Sequence, residues 1–271
     1  MKESEDVFRR VRLICPRCRQ GNLETASERA VLCPVCDARY PREGRLVDLL
    51  PERNSPLSAP QHVMESSLVV PIYDSLLWRR NPLLQMFMGL TFDEEAATIL
   101  HALRLKPGAT VLDLACGTGI YGRRIAERFP VSFVIGLDLS LPMLEFADRR
   151  FDAQSSQDLL LIHGDAQDLP FGDGTMDAVL CGGALHLFPD PAKAIGEAGR
   201  VVRPGGAFAA AAYYRRQSWL SLFVEQIAGL IGGIRGHSRD EYLQMMHDAG
   251  FEQADLLHEG PVWMVLYGVK G

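Results

Sequence analysis

From Thr110 onward the chain alternates short apolar runs with amphipathic stretches. The runs fall at 110–115, 133–138, 159–163, 177–182 and 206–212, and their near-continuous apolar character predicts strands buried on both faces. Between them, apolar residues recur at helical spacing, so the pattern predicts a parallel sheet covered by helices on both faces, with right-handed crossovers. Ahead of this region Asp93–Leu103 predicts a helix, with Thr91 as N-cap and Glu94 completing a capping box. The rhythm breaks near the C-terminus. Ser238–Ala249 predicts a helix capped by Ser238 and Glu241 and ended at Gly250, and two runs, 251–258 and 262–269, flank Gly260-Pro261 and predict an antiparallel pair.

Upstream the pattern differs. Residues 1–50 contain C-P-x-C twice, after the β-prone runs RLI and AVL, and residues 51–62, PERNSPLSAPQH, read as a linker to a main domain at 63–271. Cys15, Cys18, Cys33 and Cys36 give C-x2-C-x14-C-x2-C, a spacing that can converge four thiolates on one Zn²⁺. A pair of disulfides is the competing arrangement, and it lacks a secretory context. A module this small has little core of its own, so metal would supply folding energy. The ribbon then serves either as a structural cap or as a grip on a substrate or partner, helped by Arg10, Arg12, Arg17 and Arg19.

The candidate chemistry centres on VLDLACGTGIYGRRIA, Val111–Ala126. It reads as strand, small-residue loop and helix, with Gly117 and Gly119 letting the backbone turn tightly and approach a ligand. Gly117, Gly119 and Gly122 satisfy G-x-G-x-x-G, with Asp138 downstream as a ribose-binding acid, so a dinucleotide is one reading. Asp113 at the strand end favours another. A carboxylate there gains nothing from a pyrophosphate but gains charge-assisted hydrogen bonding from an ammonium and sulfonium ligand, S-adenosylmethionine.

At these residues the chain resembles the class I S-adenosylmethionine-dependent methyltransferases, over roughly 160 residues and five motifs in order. LDLACGTG is similar to the first motif, with Ala115 where a glycine is usual, and GLDLS to the second, with Asp138 as the ribose acid. HGDAQDLPF (His163–Phe171) resembles the third, in which Asp165 would receive the adenine amino group. DAVLCGGALHLFPDP and RVVRPGGAF resemble the fourth and fifth strands with their flanking turns. The resemblance implies an α/β, Rossmann-like, seven-stranded sheet and a cofactor lined by Asp113, Ala115, Cys116, Gly117, Thr118, Gly119, Asp138, Leu139, Met143, Asp165, Ala166 and Cys181. Cys116 and Cys181 also read as small buried thiols packed at strand ends. The order of ribbon and domain resembles plant plastid methyltransferases and, less closely, bacterial large-subunit rRNA guanine methyltransferases, whose EG…LLP run is loosely matched by EGRLVDLLP.

For the acceptor the signals are thinner. The resemblance implies a lid at 63–92, with Tyr73 and Trp78 as wall or packing residues, and a substrate insert at 213–237. Trp219–Ile234 is apolar on nearly every side, which suits a lipophilic acceptor wall, a core helix or a dimer face. Tyr213, Tyr214, Trp219 and His237 are candidate substrate contacts, and His186 in ALHLF is a candidate general base or pocket wall. His62, His101, His163, His247 and His258 read as surface or packing residues. The chain of 271 residues has a formal charge of −6, divided as +2 over residues 1–60 and −8 over the rest, which gives no general nucleic-acid footprint. The expected reaction is methylation of an O or C nucleophile on a small, apolar-bodied molecule. rRNA base methylation with the ribbon holding RNA is an alternative, and a non-methylating protein or adaptor that keeps the cofactor site is a second. The acid-containing start MKESEDVFRR lacks a signal-like apolar region, and Trp219–Ile234 is too short to span a bilayer, so the cytoplasm is the expected compartment.

Overall fold

The computed structural model describes residues 8, 11–50, 81–129, 133–151, 159–216 and 236–271. The linker at 51–62, most of 63–92 and most of the insert expected at 213–237 lie outside the described residues, and Tyr73, Trp78 and Trp219 lie there with them. In chain order the elements are β1 (Glu24–Ser27), β2 (Ala30–Leu32), β3 (Arg39–Glu43), β4 (Leu46–Asp48), α1 (Pro82–Met88), α2 (Phe92–Ala102), β5 (Thr110–Leu114) and α3 (Ile120–Arg128). They continue as β6 (Phe133–Asp138), α4 (Leu141–Arg150), β7 (Leu159–His163), β8 (Met176–Gly182), a 3₁₀ turn (Leu185–Leu187) and α5 (Pro191–Val201). The last are β9 (Val202–Tyr213), α6 (Arg239–Asp248), β10 (Asp255–Glu259) and β11 (Trp263–Val269).

The strands form one sheet in the order β1-β2-β3-β4-β7-β6-β5-β8-β9-β11-β10. The seven from β7 to β10 are the main sheet: β7, β6, β5, β8 and β9 run parallel, and β11 sits antiparallel between β9 and β10. Both faces are covered. Leu112, Leu114, Ile135 and Val179 point into one core, and Val111, Val134, Ala178 and Leu180 into the other. Successive strand residues alternate faces, so burial on both sides demands an uninterrupted apolar run. Both predicted capping boxes form: Thr91 Oγ1 accepts the Glu94 N–H at 3.2 Å, and Ser238 Oγ accepts that of Glu241 at 3.3 Å. Each acid returns the bond, Glu94 to the Thr91 N–H and Glu241 to that of Ser238. Among the described residues no helix is long and apolar enough to cross a membrane.

The ribbon is joined to the main sheet more intimately than its sequence suggests. β4 pairs in parallel with β7, placing Leu46 beside Leu161, Val47 beside Ile162 and Asp48 beside His163. The pairing covers backbone groups that an edge strand would leave open. Antiparallel pairs β3–β4, β2–β3 and β1–β2 then extend the sheet outward. Val11, Leu13, Val31 and Val47 share a buried cluster with Ile162, Leu169 and Phe171. At the other end β9 begins at Val202, earlier than the apolar run at 206, because Val202 pairs with Met176 across an irregular register. The run at 251–258 shortens to β10, since Phe251 instead bridges to Lys270.

Candidate functional site

The cofactor loop is built by backbone geometry. After β5, Ala115, Gly117 and Gly119 all adopt left-handed φ, at 55°, 54° and 72°. A Cβ on Gly119 would lie 2.8 Å from the ring of Phe151, so glycine is required there for space as well as for conformation. The turns bring the start of α3 over the ends of β5 and β6. Asp113, almost wholly buried, accepts the Gly122 N–H at 3.0 Å and so caps the first turn of α3. Asp138 accepts the Gly117 N–H at 2.7 Å with one oxygen and the Ser140 N–H at 2.8 Å with the other. Burial pushes the Asp138 carboxyl up, and those N–H groups and His163 oppose the shift.

Strand register gathers the remaining predicted residues. Asp113 and Gly136 are partners across β5–β6, and Asp138 and His163 across β6–β7, all toward the carboxyl ends of parallel strands, where open α/β sheets bind ligands. The Gly164 N–H donates to the Asp138 carbonyl at 3.0 Å, and Asp165 Oδ1 accepts the Gln167 N–H at 2.8 Å. Met143 is buried on α4, whose N-cap is Ser140, and Thr118, Ala166 and Cys181 are buried. The thiols of Cys116 and Cys181 are pushed up by desolvation, which suits packing rather than chemistry.

His186 lies in the 3₁₀ turn after β8, and its Nδ1 accepts the backbone N–H of Tyr213 at 3.2 Å. Desolvation lowers its pKa to about 4, so the ring is neutral near pH 7. With Nδ1 accepting, the single ring proton sits on Nε2. His186 therefore presents a hydrogen-bond donor, whereas a base acting through Nε2 would need that lone pair free. Its ring meets Tyr213 and Trp263 edge-on, with centroids 6.1 and 5.5 Å away. His237 packs edge-on against Tyr242 at 5.4 Å, and its carbonyl accepts the Arg215 N–H at 2.8 Å.

The neutral His186 has a measurable signature. The unfolded ring takes up a proton near pH 6.5 and the folded ring only near 4, so the unfolded state binds more protons between these values. Stability from this site is fully present above about pH 6.5 and is lost as pH falls toward 4, reaching a loss of about 3 kcal/mol. Thermal unfolding of wild type against His186→Gln over that window checks it. Parallel pH curves for the two proteins would refute it.

A buried carboxylate nearby escaped the sequence reading. Glu95 on α2 accepts the Trp263 indole N–H at 2.5 Å and the Tyr121 hydroxyl through its other oxygen. Tyr121 packs so closely on β8 that a Cβ at Gly182 would lie 2.1 Å from its ring. Glu95 thus ties α2 to the loop helix and to the aromatic wall beside His186. The available signal was an acid on the apolar face of α2, beside Ala96 and one turn before Ile99.

The four N-terminal cysteine sulfurs lie within 4.8 Å of one another, with Cys15–Cys36 at 3.7 Å and Cys18–Cys33 at 3.6 Å. A tetrahedron with Zn–S bonds of about 2.3 Å has edges of about 3.8 Å, close to these separations. None of the four is in a disulfide. The turns that carry them need left-handed residues, Arg19 and Asp37, and a Cβ at Gly21 would lie 2.4 Å from the Cys33 sulfur. N–H groups of Gln20 and Gly21 lower Cys18 to about 6. Cys36 receives the Ala38 N–H, yet desolvation and the neighbouring sulfurs push it up to about 12. Four cysteine sulfurs this close form a donor set that suits a single tetrahedral cation.

Comparison with known proteins follows this geometry. Residues 111–206, from β5 to the glycine turn within β9, match the family described as Methyltransferase domain. Residues 111–206 thus carry a methyltransferase domain. It is 31% identical over 222 residues to the uncharacterized methyltransferase At1g78140, chloroplastic, of Arabidopsis thaliana, covering 74% of this chain and 61% of that protein. The chain thus spans about three fifths of the length of that plant relative. It is 26% identical to the demethylmenaquinone methyltransferase of Listeria welshimeri, covering 74% of this chain and 92% of that one. Among solved structures, the geranyl diphosphate C-methyltransferase of Streptomyces coelicolor A3(2), with Mg²⁺, geranyl diphosphate and S-adenosyl-L-homocysteine, shares the fold. It matches with a TM-score of 0.56 at 20% identity, over 66% of this chain and 79% of that one. The methyltransferase domain therefore has the Rossmann-like sheet, and the dinucleotide reading of the glycine loop falls away.

Proposed function

We propose that this protein transfers a methyl group from S-adenosylmethionine to an oxygen or carbon nucleophile on a small, apolar-bodied aromatic acceptor, and that its ribbon holds a structural Zn²⁺. The observation that carries the cofactor reading is the left-handed loop at Ala115–Gly119 with Asp138 facing it at 2.7 Å. A ribose diol would hydrogen-bond Asp138, Asp165 would take the adenine amino group, and Leu139, Met143 and Ala166 would flank the base. When bound, the cofactor supplies a methyl group already activated by its sulfonium, so the protein chiefly aligns the nucleophile and excludes water.

His186 supports the acceptor reading. A neutral imidazole with Nε2–H available would stabilise the phenolate- or enolate-like oxygen of an acceptor that binds already ionised, which favours an acidic hydroxyl or the carbon beside it. A demethylmenaquinone methyltransferase among the relatives is consistent with a ring of that kind. Tyr213 and Trp263, against His186, supply aromatic surface for such a ring.

Calorimetric titration with S-adenosylhomocysteine tests the cofactor site. Wild type is expected to bind, and Asp138→Ala to weaken binding by at least tenfold, since two or more hydrogen bonds to a charged group are lost at about 1.5–3 kcal/mol each. Equal affinity in both proteins would overturn the reading. Methyl transfer from labelled S-adenosylmethionine to a naphthoquinol, with rRNA as the competing acceptor, then tests the acceptor class. Exclusive labelling of RNA would replace the proposed acceptor with a nucleic acid.

A further inference from the structure

The ribbon meets the methyltransferase domain where the proposed cofactor residues begin. Asp48, His163 and Asp138 are register partners across β4, β7 and β6, so one row joins the ribbon's last strand to the ribose acid. His163 is buried, at 7% exposure, with Nδ1 2.6 Å from Asp48 Oδ1 and Nε2 3.1 Å from the Leu139 carbonyl. These two contacts hold the ring between the ribbon and the chain segment directly after Asp138. His163, which sequence alone left as a surface or packing residue, contacts both the ribbon and the Leu139 backbone.

A second set of contacts reaches the adenine side. In the first cysteine turn the Ile14 N–H donates to the Pro170 carbonyl at 2.8 Å, and the Gly172 N–H to the Arg12 carbonyl at 3.1 Å. Leu13 bridges Phe171, and Arg19 pairs with Asp168. These partners continue the segment that starts at Asp165, and Cys15 and Cys18 lie within the same stretch of ribbon. Both proposed cofactor acids thus rest on segments that the cysteine module braces.

We propose that the ribbon is a working part of the cofactor site: Asp48 and His163 position the Leu139 loop, the first cysteine turn positions the segment after Asp165, and metal binding to the four cysteines is thereby coupled to cofactor binding. Asp48 and His163 are positioning residues, acting through the Leu139 backbone. The inference rests on the reading of the glycine loop as an S-adenosylmethionine site. Coupling between two sites is reciprocal, so Zn²⁺ raises affinity for S-adenosylhomocysteine by the same factor as S-adenosylhomocysteine raises affinity for Zn²⁺.

The test uses the full chain. S-adenosylhomocysteine is titrated into wild type, Asp48→Asn and chelator-stripped wild type, and Zn²⁺ affinity is measured by chelator competition with and without saturating S-adenosylhomocysteine. Asparagine preserves the shape of Asp48 and removes its charge. Asp48→Asn is expected to keep its zinc and weaken S-adenosylhomocysteine by roughly 5- to 150-fold, the usual span of such coupling. Stripping zinc should weaken it as well, with the matching gain in Zn²⁺ affinity when the ligand is present. If the variant does not fold, the two zinc measurements decide alone. A ribbon that is only a cap would leave wild-type ligand affinity unchanged by Asp48→Asn and by chelation, which overturns the coupling and leaves the cofactor reading intact. Absence of binding to zinc-loaded wild type overturns both.

Discussion

Stripping the ribbon of metal, or replacing Cys15 by serine, is expected to unfold residues 11–50 while β5, β6 and β8 stay folded. The free energy of zinc binding is folding free energy for a module of this size, on the order of 10 kcal/mol. The ribbon's own strands are slight: β2 and β4 have three residues each, and β1 and β3 are largely exposed. Its apolar residues are buried against Leu169 and Phe171 of the main domain rather than against each other alone. Hydrogen exchange followed by mass spectrometry checks this. Protection should vanish from 11–50, fall in β7 and 168–172, and persist in β5 and β8, whose neighbours are all strands of the main sheet. Unchanged protection across 11–50 after chelation would show that packing alone folds the module.

Glu95→Ala should be the most damaging single change in the main domain that touches no proposed ligand. Glu95 is 1% exposed, and its removal takes the carboxylate from both the Trp263 indole N–H and the Tyr121 hydroxyl. Removing this acceptor from the buried Tyr121 hydroxyl and the half-buried Trp263 N–H costs about 1–3 kcal/mol each, and a total of about 3 kcal/mol lowers the melting temperature by roughly 6–12 °C in a domain of this size. Glu95→Gln keeps an acceptor and should lose roughly half as much. Because Trp263 lies against His186 and Gly183, the alanine variant should also loosen the proposed acceptor wall. Differential scanning calorimetry of the two variants decides the matter. A melting temperature for Glu95→Ala within a degree of wild type would mean that the network contributes nothing.

The residues that were legible in advance share a local cause. Thr91 with Glu94 and Ser238 with Glu241 act within one helical turn, so spacing alone exposes them. The left-handed loop was legible because glycine is the residue that reaches such φ values cheaply, although Ala115, with a φ of 55°, shows the fold imposing one on a residue that resists it. The cysteines were legible because the two C-P-x-C pairs carry their thiols at fixed short intervals. His163 and Glu95 were not legible. Each is one polar residue in an apolar pattern, and its meaning lies in a partner 115 or 168 positions away in the chain.

By itself, then, the sequence determined the strands of the main sheet and the helices between them, the glycine loop with its acids and the four thiols, because each depends on periodicity or on neighbours a few residues apart. Tertiary structure decided what joins them. It set β4 beside β7, which turned an appended ribbon into an extension of the sheet and brought Asp48 to His163 and the Leu139 loop. It also placed the Tyr213 N–H on His186 Nδ1, which favours the tautomer of that ring with its proton on Nε2. A protonation state depends on burial and on which atoms face the ring, and those are properties of packing that no local pattern records.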